Sequence, residues 1–434
     1  MSSPYKTIAF HSFGCKLNFA EMSTISSDFR ENGYSKVSFN DRADVYVVNT
    51  CSVTENANRK ARKKIRQARS LSPNSIIVII GCYAQLNPDE ISRIPGVSLV
   101  VGTEQKFNLI KYVEAALYDR QTVVINSNIE KSKIFFSSYS REDRVRTFLK
   151  IQDGCNYPCS YCTIPLARGS SRSGVIKDVI YNAKKIATNN VKEIILTGVN
   201  IGEFGSDTGE TFFDLIKELD KIKNIKRYRI SSIEPNLLTE NIVKFVANSR
   251  KFLPHFHIPL QSGSDEILKS MKRRYLCELF IKKIKLIKFY MPDACIGSDV
   301  IVGYPGETDE DFNKTISLIK LLNLSYLHVF SYSDRKNTKS EKIITKVPID
   351  KLKERSEELR KLSQNLMNKY HKKNNGYIRD VLFESYSQGR LTGLTDNYIR
   401  ISIKGKKDMV NQIVPVKLKL NRFNSFIMNG SSAI

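Results

Sequence analysis

Residues 148–162 read FLKIQDGCNYPCSYC, an apolar run typical of a strand that leads directly into three cysteines. Cys155, Cys159 and Cys162 are separated by three and then by two residues, so their thiolates can face a single metal centre. The triplet follows the first strand of a region in which strand-like and helix-like segments alternate. This alternation predicts parallel β/α units whose ligand site lies at the carboxyl ends of the strands.

The number of ligands in this triplet is informative. Three thiolates on a cluster of four irons leave one iron without a protein ligand, and a reactive cluster needs such an open position. A structural zinc site is the alternative, but it normally has four ligands, and the nearest histidines, His255 and His257, are far away in the sequence. A chance grouping of free cysteines is a further alternative.

A second set of cysteines lies in the first third of the chain. Cys15 in SFGCKLN, Cys51 in VNTCSVTENA and Cys82 in IIGCYAQ each end an apolar, β-branched run. Helix-period segments separate these runs, which predicts an open parallel sheet with all three cysteines at one edge. A second three-thiolate site follows from this arrangement, and three buried cysteines at strand ends are the alternative. We expect Cys277 and Cys295 to be core residues.

A length of 434 residues predicts about three domains. We expect an α/β fold with an open parallel α/β sheet over 1–126, a Ser-rich linker over 127–146, a partial (β/α)6 TIM-like barrel over 147–374 and a small β-barrel over 375–434. The expected strands of the larger barrel are 148–152, 193–198, 227–233, 256–260, 294–302 and 326–332. A charged helix after Pro348 closes that barrel, and the expected strands of the small barrel are 377–386, 398–403 and 413–420.

The charge balance is strongly basic. Lys and Arg number 69 against 44 Asp and Glu, a formal net charge of +25, which favours a polyanionic partner such as RNA. Residues 59–69, RKARKKIRQAR, predict a basic helix that either attracts phosphates or is a solvated face. A composition of 41% hydrophobic and 26% charged residues excludes wholesale disorder.

No apolar run approaches the roughly 18 residues that span a bilayer, so we expect no membrane insertion. The N-terminus lacks the features of a secretory signal, which predicts a cytoplasmic protein. Cysteines in that compartment stay reduced and are available to metals.

These motifs carry a family resemblance. GCNYPCSYC resembles the radical S-adenosylmethionine (SAM) enzymes, and together with GCKLN, NTCSVT and GCYAQ it is similar to the methylthiotransferases over nearly the whole chain. The resemblance implies a cluster domain, a radical core and a TRAM-like RNA-binding barrel, in that order. GCKLN, NTCSVTENA, GCYAQ, FLKIQDGC and IPLARGSSRS resemble the branch that modifies threonylcarbamoyladenosine in tRNA. The isopentenyladenosine and ribosomal-protein branches more typically show GCQMN with GCMAQ, or GCPKN.

The resemblance also implies an activity and its cofactors. It implies two [4Fe-4S] clusters, one on Cys155, Cys159 and Cys162 that binds SAM and yields a 5′-deoxyadenosyl radical, and one on the earlier three cysteines that delivers sulfur. A C2–H bond of adenine is too weak an acid for a side-chain base, so radical chemistry is required. The expected product carries a methylthio group at C2 of N6-threonylcarbamoyladenosine, at position 37 next to the anticodon.

Further site residues are expected by resemblance at strand ends and in the cysteine loop. The candidates for SAM binding are Tyr161, Gly198, Asn200, Glu234, Gln261 and Asp299. An ordinary βα turn is the alternative for the segment of Asn200, and a helix cap or a salt bridge is the alternative for Glu234.

The expected partners are the anticodon loop of tRNA and an electron donor such as flavodoxin or ferredoxin, with the enzyme a monomer. Arg168 and Arg172, just past the radical cysteines, are expected to position the tRNA nucleotide. Methylthiolation of isopentenyladenosine is the main alternative activity. A non-catalytic iron-sulfur or zinc protein that binds RNA is the alternative from another class.

Overall fold

The structure is a computed structural model that describes residues 6–52, 54–118, 121–141, 145–421 and 427–432. The outer ends of the predicted first and last domains, residues 1–5 and 433–434, lie outside these ranges, as do residues 142–144 of the predicted linker. Within the described residues, no helix is both long and apolar enough to cross a bilayer.

The first part of the chain forms a six-stranded sheet in the order β2-β1-β3-β4-β5-β6, with every neighbouring pair parallel. Its strands are β1 (Thr7–Ser12), β2 (Ser35–Val37), β3 (Val45–Thr50), β4 (Ile76–Gly81), β5 (Val97–Val101) and β6 (Val123–Ile125). Its helices are α1 (Lys16–Glu31), α2 (Glu55–Leu71), α3 (Cys82–Leu86), α4 (Pro88–Ser92) and α5 (Leu109–Tyr118). The predicted open parallel sheet is confirmed. The short edge strands β2 and β6 were not predicted, because three residues carry too little periodicity.

The second part of the chain forms a partial barrel. Its strands are β7 (Ser138–Tyr139), β8 (Arg146–Lys150), β9 (Gln152–Asp153), β10 (Arg172–Ser173), β11 (Glu193–Thr197), β12 (Arg227–Ile230), β13 (His255–His257), β14 (Cys295–Val302) and β15 (Tyr326–Ser331). Its helices are α6 (Ile164–Arg168), α7 (Ile176–Ala187), α8 (Phe212–Asp220), α9 (Glu240–Asn248), α10 (Asp265–Ser270), α11 (Cys277–Tyr290), α12 (Asp309–Leu322) and α13 (Ile349–Asn374).

Six of these strands form the barrel wall in chain order: β8, β11, β12, β13, β14 and β15. They lie in two sheets and pair with one another in parallel, and a parallel bridge between Ser232, just after β12, and His257 of β13 joins the two sheets. The predicted partial (β/α)6 barrel is therefore confirmed. Helix starts are set locally, since Thr211, Thr239 and Thr308 each cap a helix by accepting a backbone N–H bond.

Helix α13 follows Pro348 and covers the last barrel strand, as predicted. Leu359 and Leu366 are buried on its inner face. The hydroxyl of Ser363 accepts a bond from the backbone N–H of Leu327 in β15 at 2.9 Å. The helix thus covers β15 at the end of the barrel wall.

The third part is a closed five-stranded barrel, in the order β16-β17-β18-β20-β19. Its strands are β16 (Ile378–Ser387), β17 (Arg390–Thr395), β18 (Arg400–Lys404), β19 (Ile413–Lys419) and β20 (Met428–Ser432). The predicted small β-barrel is confirmed, although β17 and β20 were not predicted. Glycine interrupts both of these short runs, at Gly393 and Gly430, which weakens the strand pattern.

The small barrel closes the amino end of the larger one. The ring of Tyr398 stacks on His255 with centroids 4.0 Å apart. Arg229, on β12, donates to the carbonyl oxygens of Thr395 and Asp396 and pairs with the buried Glu193. The carboxyl ends of the barrel strands are left for a ligand site.

The first sheet and the large barrel are joined by a buried ion cluster centred on Glu21 of α1. The carboxylate of Glu21 lies 2.6 Å from Lys106 Nζ, 2.8 Å from Lys150 Nζ and 3.0 Å from Arg168 Nη2. Lys150 and Arg168 also pair with Asp153 at 2.7 and 2.8 Å. Burial alone would raise the pKa of Glu21, but the three cations hold it well below its ordinary value.

Replacing Glu21 with Gln tests this cluster. Removal of one charge from a buried network leaves its partners uncompensated, and we expect the free energy of unfolding to fall by about 3–5 kcal/mol. The measurement is denaturant-induced unfolding. Glu218→Gln is the control, because Glu218 and Lys221 form an exposed pair worth less than about 1 kcal/mol. Equal losses in the two variants would contradict the assignment.

Candidate functional site

Cys15, Cys51 and Cys82 lie at one edge of the first sheet. The carboxyl ends of β1, β3 and β4 are adjacent in parallel register, and each cysteine follows one of these ends by one to three residues. Cys15 caps α1, and Cys82 is the first residue of α3. The sheet therefore brings together three cysteines that are 36 and 31 residues apart in the sequence.

Gly14 explains how closely the first two of these loops approach. A Cβ atom on this residue would lie 2.9 Å from Cys51 Cβ, and Gly14 adopts φ +96°. Both the left-handed backbone and the close contact require glycine. The GC pair of the first motif thus positions its cysteine loop against the second.

Cys155, Cys159 and Cys162 lie on the loop between β9 and α6, at the carboxyl end of the barrel. Backbone N–H groups point at two of the sulfurs: Tyr157 N lies 3.4 Å from Cys155 Sγ, and Ile164 N lies 3.4 Å from Cys162 Sγ. Such donors stabilise thiolates. Burial raises the pKa of the free Cys162 thiol to about 12, so binding a metal there must release a proton.

Neither cysteine set has the dimensions of a single-ion site. Among the described residues, only His257, Asp299 and His328 bring three metal-ligating atoms within 4.8 Å of one another. Each cysteine triplet is therefore wider than this. A zinc ion holds thiolates at about 2.3 Å from the metal, which requires a tighter set. As placed in the structure, neither triplet closes on a single zinc ion.

Sequence reasoning missed Arg273, which lies against the loop that carries Cys155, Cys159 and Cys162, here called the radical cysteine loop. Its guanidinium Nη1 is 3.1 Å from Cys159 Sγ and 3.4 Å from the Tyr161 hydroxyl, and Nη2 forms an ion pair with Glu234. Arg273 belongs to a basic run, KRR, which gives no signal of this contact. Glu234 thus forms a salt bridge, one of the two alternatives to SAM binding that the sequence left open.

Two of the expected cofactor residues have buried polar atoms without partners among the described residues. Both amide atoms of Asn200 and the side-chain oxygen of Gln261 are unpartnered, although these residues are only 4% and 8% exposed. Gln261 also adopts φ +65°, which is rare for this residue type. Buried polar atoms normally find partners, so these groups fit a polar ligand at the strand ends.

Gly198 fixes the backbone that leads to Asn200. A Cβ atom there would lie 2.8 Å from Gln152 Oε1. The same oxygen accepts bonds from the backbone N–H groups of Val199 and Asn200, at 2.9 and 2.8 Å. The glycine therefore allows the close approach that holds this turn in place.

A cavity of about 220 Å³ lies between the two parts of the molecule. Thr54 from the first sheet contributes to its wall, and Tyr161, Cys162, Gln261 and Asp299 contribute from the barrel. The carboxylate of Asp299 lies 2.8 Å from His257 Nε2 and 3.2 Å from His328 Nδ1. The cavity thus connects the neighbourhoods of both cysteine sets.

Arg168 and Arg172 are not on an open surface, which disagrees with the expectation that they contact tRNA. Arg168 is 1% exposed and belongs to the Glu21 cluster. Arg172 is 4% exposed and donates to the carbonyl oxygens of Ile134, Arg168 and Ser170. Their guanidinium groups are already used inside the protein, because burying a charge requires such partners.

The same cluster carries an excess of positive charge beside Cys82. Four cations, Lys106, Lys150, Arg168 and Arg172, surround two carboxylates, which leaves two positive charges. Burial raises the pKa of Cys82, whereas Arg168 and Lys106 act to lower it. An anionic group at Cys82 would balance this excess, as a thiolate-ligated cluster does.

Gly198→Ala tests the turn at Asn200. The new methyl group overpacks against Gln152, and we expect a loss of about 1–3 kcal/mol of stability and weaker binding of SAM. Thermal unfolding and equilibrium binding measure the two effects. Gly174→Ala is the control, because its Cβ would meet only side-chain carbons, of Phe135 at 3.1 Å and of Val179 at 3.7 Å, and lies away from the turn at Asn200. Unchanged SAM binding by Gly198→Ala would contradict the role of this turn.

Two family models match the chain. Residues 7–102 match a family described as "Uncharacterized protein family UPF0004", and residues 149–319 match the radical SAM superfamily. The first match covers β1 to β5 of the sheet that carries Cys15, Cys51 and Cys82. The second covers most of the barrel that carries the other triplet and ends before β15.

Three relatives illustrate the similarity along the whole chain. The threonylcarbamoyladenosine tRNA methylthiotransferase MtaB of Bacillus subtilis strain 168 is 39% identical over 95% of this chain and 93% of its own. The protein of the same name from Aquifex aeolicus is 39% identical over 93% of this chain and 98% of its own. A tRNA-2-methylthio-N(6)-dimethylallyladenosine synthase of Clostridium beijerinckii is 31% identical over 98% of this chain and 96% of its own.

A solved structure supports the fold. The radical SAM methyltransferase TsrM of Kitasatospora setae superposes with a TM-score of 0.56 at 13% identity, covering 75% of this chain and 73% of its own. The full-length similarity to the named enzymes, together with the two matching family models, settles the classification. The chain belongs to the radical SAM family of tRNA methylthiotransferases.

Proposed function

We propose that this enzyme inserts a methylthio group at C2 of N6-threonylcarbamoyladenosine, at position 37 next to the anticodon of tRNA. The observation that carries the proposal is the cavity at the junction of sheet and barrel, whose wall includes Cys162 of one triplet and Thr54, three residues after Cys51 of the other. Threonylcarbamoyladenosine appears in the names of the relatives that are 34–39% identical, whereas dimethylallyladenosine appears in names at 31–33% identity.

We assign the six cysteines to two [4Fe-4S] clusters. Cys155, Cys159 and Cys162 would hold the cluster that binds SAM, and the triplet of the first sheet would hold the cluster that delivers sulfur. The bound groups supply the one-electron chemistry that replaces a C–H bond by a C–S bond.

The chain itself positions the reactants. Asn200 and Gln261 would donate to and accept from the bound SAM, and Tyr161 would lie against its adenine. The cavity would hold the reacting part of the nucleotide beside Cys162 and Thr54 and keep water from the reacting carbon. Placing the triplets on different domains lets them approach the substrate from opposite sides.

The domain limits of 1–126, 147–374 and 375–434 remain part of this proposal, with the last unit as a TRAM-like RNA-binding barrel. The basic face of α2 is a second candidate for phosphate contacts, because Ala61, Ile65 and Ala68 bury the opposite face. We further propose a monomeric cytoplasmic enzyme that contacts the anticodon loop and receives electrons from flavodoxin or ferredoxin.

Nucleoside mass spectrometry tests the reaction. Reconstituted enzyme, SAM and a reductant are incubated anaerobically with tRNA that carries threonylcarbamoyladenosine, and in parallel with tRNA that carries isopentenyladenosine. We expect a methylthio product on the first tRNA alone. A product on the second alone would overturn the substrate assignment, and 5′-deoxyadenosine without either product would show that the substrate is another molecule.

Iron analysis tests the cluster assignment. Changing Cys155, Cys159 and Cys162 together to Ala, or the other three together to Ala, is expected to remove about four of eight irons per chain in each case. Cys277→Ala is the matched control and should keep the full content. Zinc at unit stoichiometry without sulfide would refute the clusters.

A further inference from the structure

We infer that Arg335 determines substrate specificity by binding the carboxylate of the threonylcarbamoyl group. This inference rests on the proposed function, since it assigns one side chain to the recognition of the carboxylate of that substrate. Arg335 lies on the loop that follows β15, and no motif in the sequence singled it out.

The position of Arg335 places it between the two cysteine sets. Its Nη1 lies 3.4 Å from the carboxylate of Glu55, which is four residues after Cys51. Thr54, next to Glu55, and Ser333, two residues before Arg335, both contribute to the wall of the cavity. Residues close in sequence to both members of this ion pair therefore line the cavity, at the junction of sheet and barrel.

The loop that carries Arg335 is held firmly. The Thr338 hydroxyl donates to the carbonyl oxygen of Arg335 at 2.7 Å. The N–H of Ser340 donates to the carbonyl oxygen of Ser160, inside the radical cysteine loop, at 2.9 Å. The loop of Arg335 is thus bonded to the loop that carries Cys155, Cys159 and Cys162, and its side chain pairs with Glu55 in the segment after Cys51.

The guanidinium has unused donors. The Arg335 side chain is only 9% exposed, and its Nε and Nη2 atoms have no hydrogen-bond partner among the described residues. Its one carboxylate partner, Glu55, is 59% exposed and lies closer, at 2.7 Å, to Arg62. A buried charge with two unpaired donors is costly unless a ligand completes it.

The pattern of free donors specifies the ligand. Nε and Nη2 form one edge of the guanidinium, and that edge matches the two oxygens of a carboxylate in a bidentate pair. A phosphate of the RNA backbone is a worse fit, because phosphates lie on the outside of the nucleic acid and this side chain is buried. Threonylcarbamoyladenosine carries a carboxylate, whereas isopentenyladenosine carries only hydrocarbon at the same nitrogen.

The test uses two anticodon stem-loop RNAs that differ in one group. One carries threonylcarbamoyladenosine with a free carboxylate, and the other carries its methyl ester. For the wild type we expect KM to be roughly 10- to 100-fold higher with the ester, the range that charge-assisted hydrogen bonds produce. This arm needs no variant, so it does not depend on how a variant folds.

Arg335→Gln provides the second arm. We expect this variant to raise KM for the acid RNA to the value that the ester RNA has with the wild type, and to raise it no further with the ester. Arg335→Lys, which keeps the charge without the bidentate edge, should lie between. Arg62→Gln is the matched control, because Arg62 is the other guanidinium on Glu55 and should keep the acid-to-ester ratio of the wild type.

Each other outcome overturns the inference in its own way. Equal losses on both RNAs would assign Arg335 to the RNA backbone. A raised KM for SAM would assign it to the carboxylate of that cofactor, and a loss of iron would assign it to the neighbouring cluster. If the wild type modifies neither the acid RNA nor its ester, the proposed function itself fails, which is distinct from failure of the inference.

Discussion

The arrangement of this molecule depends on the buried ion cluster centred on Glu21. The carboxylate of Glu21, on α1, pairs with Lys106 from its own domain and with Lys150 and Arg168 from the barrel. Charges in a water-free interface interact strongly and tolerate little displacement, because each lost partner leaves an unpaired charge. Such a contact fixes orientation more sharply than apolar packing does. It holds the two domains in the relation that places Cys162 and Thr54, three residues after Cys51, on the wall of one cavity.

The same cluster also shapes the chemistry beside it. Four cations around two carboxylates leave an excess of positive charge next to Cys82. A protein rarely buries unbalanced charge unless a further group completes it. A thiolate-ligated cluster is such a group, so the network that joins the domains also favours an anionic centre at their junction. Arg168 and Arg172 were expected to contact the tRNA substrate, but they form buried ion pairs at this junction instead.

The carboxyl end of the barrel likewise has buried polar groups that a ligand would complete. Asn200, Gln261 and Arg335 bury polar atoms that have no partners among the described residues, and all three lie at or beside the carboxyl ends of barrel strands. Leaving them unpaired lowers stability, and binding recovers that loss. The amino end of the barrel is different, because Tyr398 and the backbone around it cover that opening. Access is thereby restricted to one end.

The sequence by itself determined the sheet, the six barrel strands and the grouping of the cysteines, because β-branched runs, helical periods and short ligand spacings are local patterns. It also predicted the small barrel, but not β17 and β20, whose short glycine-containing runs pair only in the closed structure. Tertiary structure alone decided the roles of Arg168, Arg273 and Arg335. These arginines look alike in the sequence, and what distinguishes them is burial and the partner that each meets across a domain or loop boundary. Such contacts join residues more than a hundred positions apart, and no local pattern encodes them.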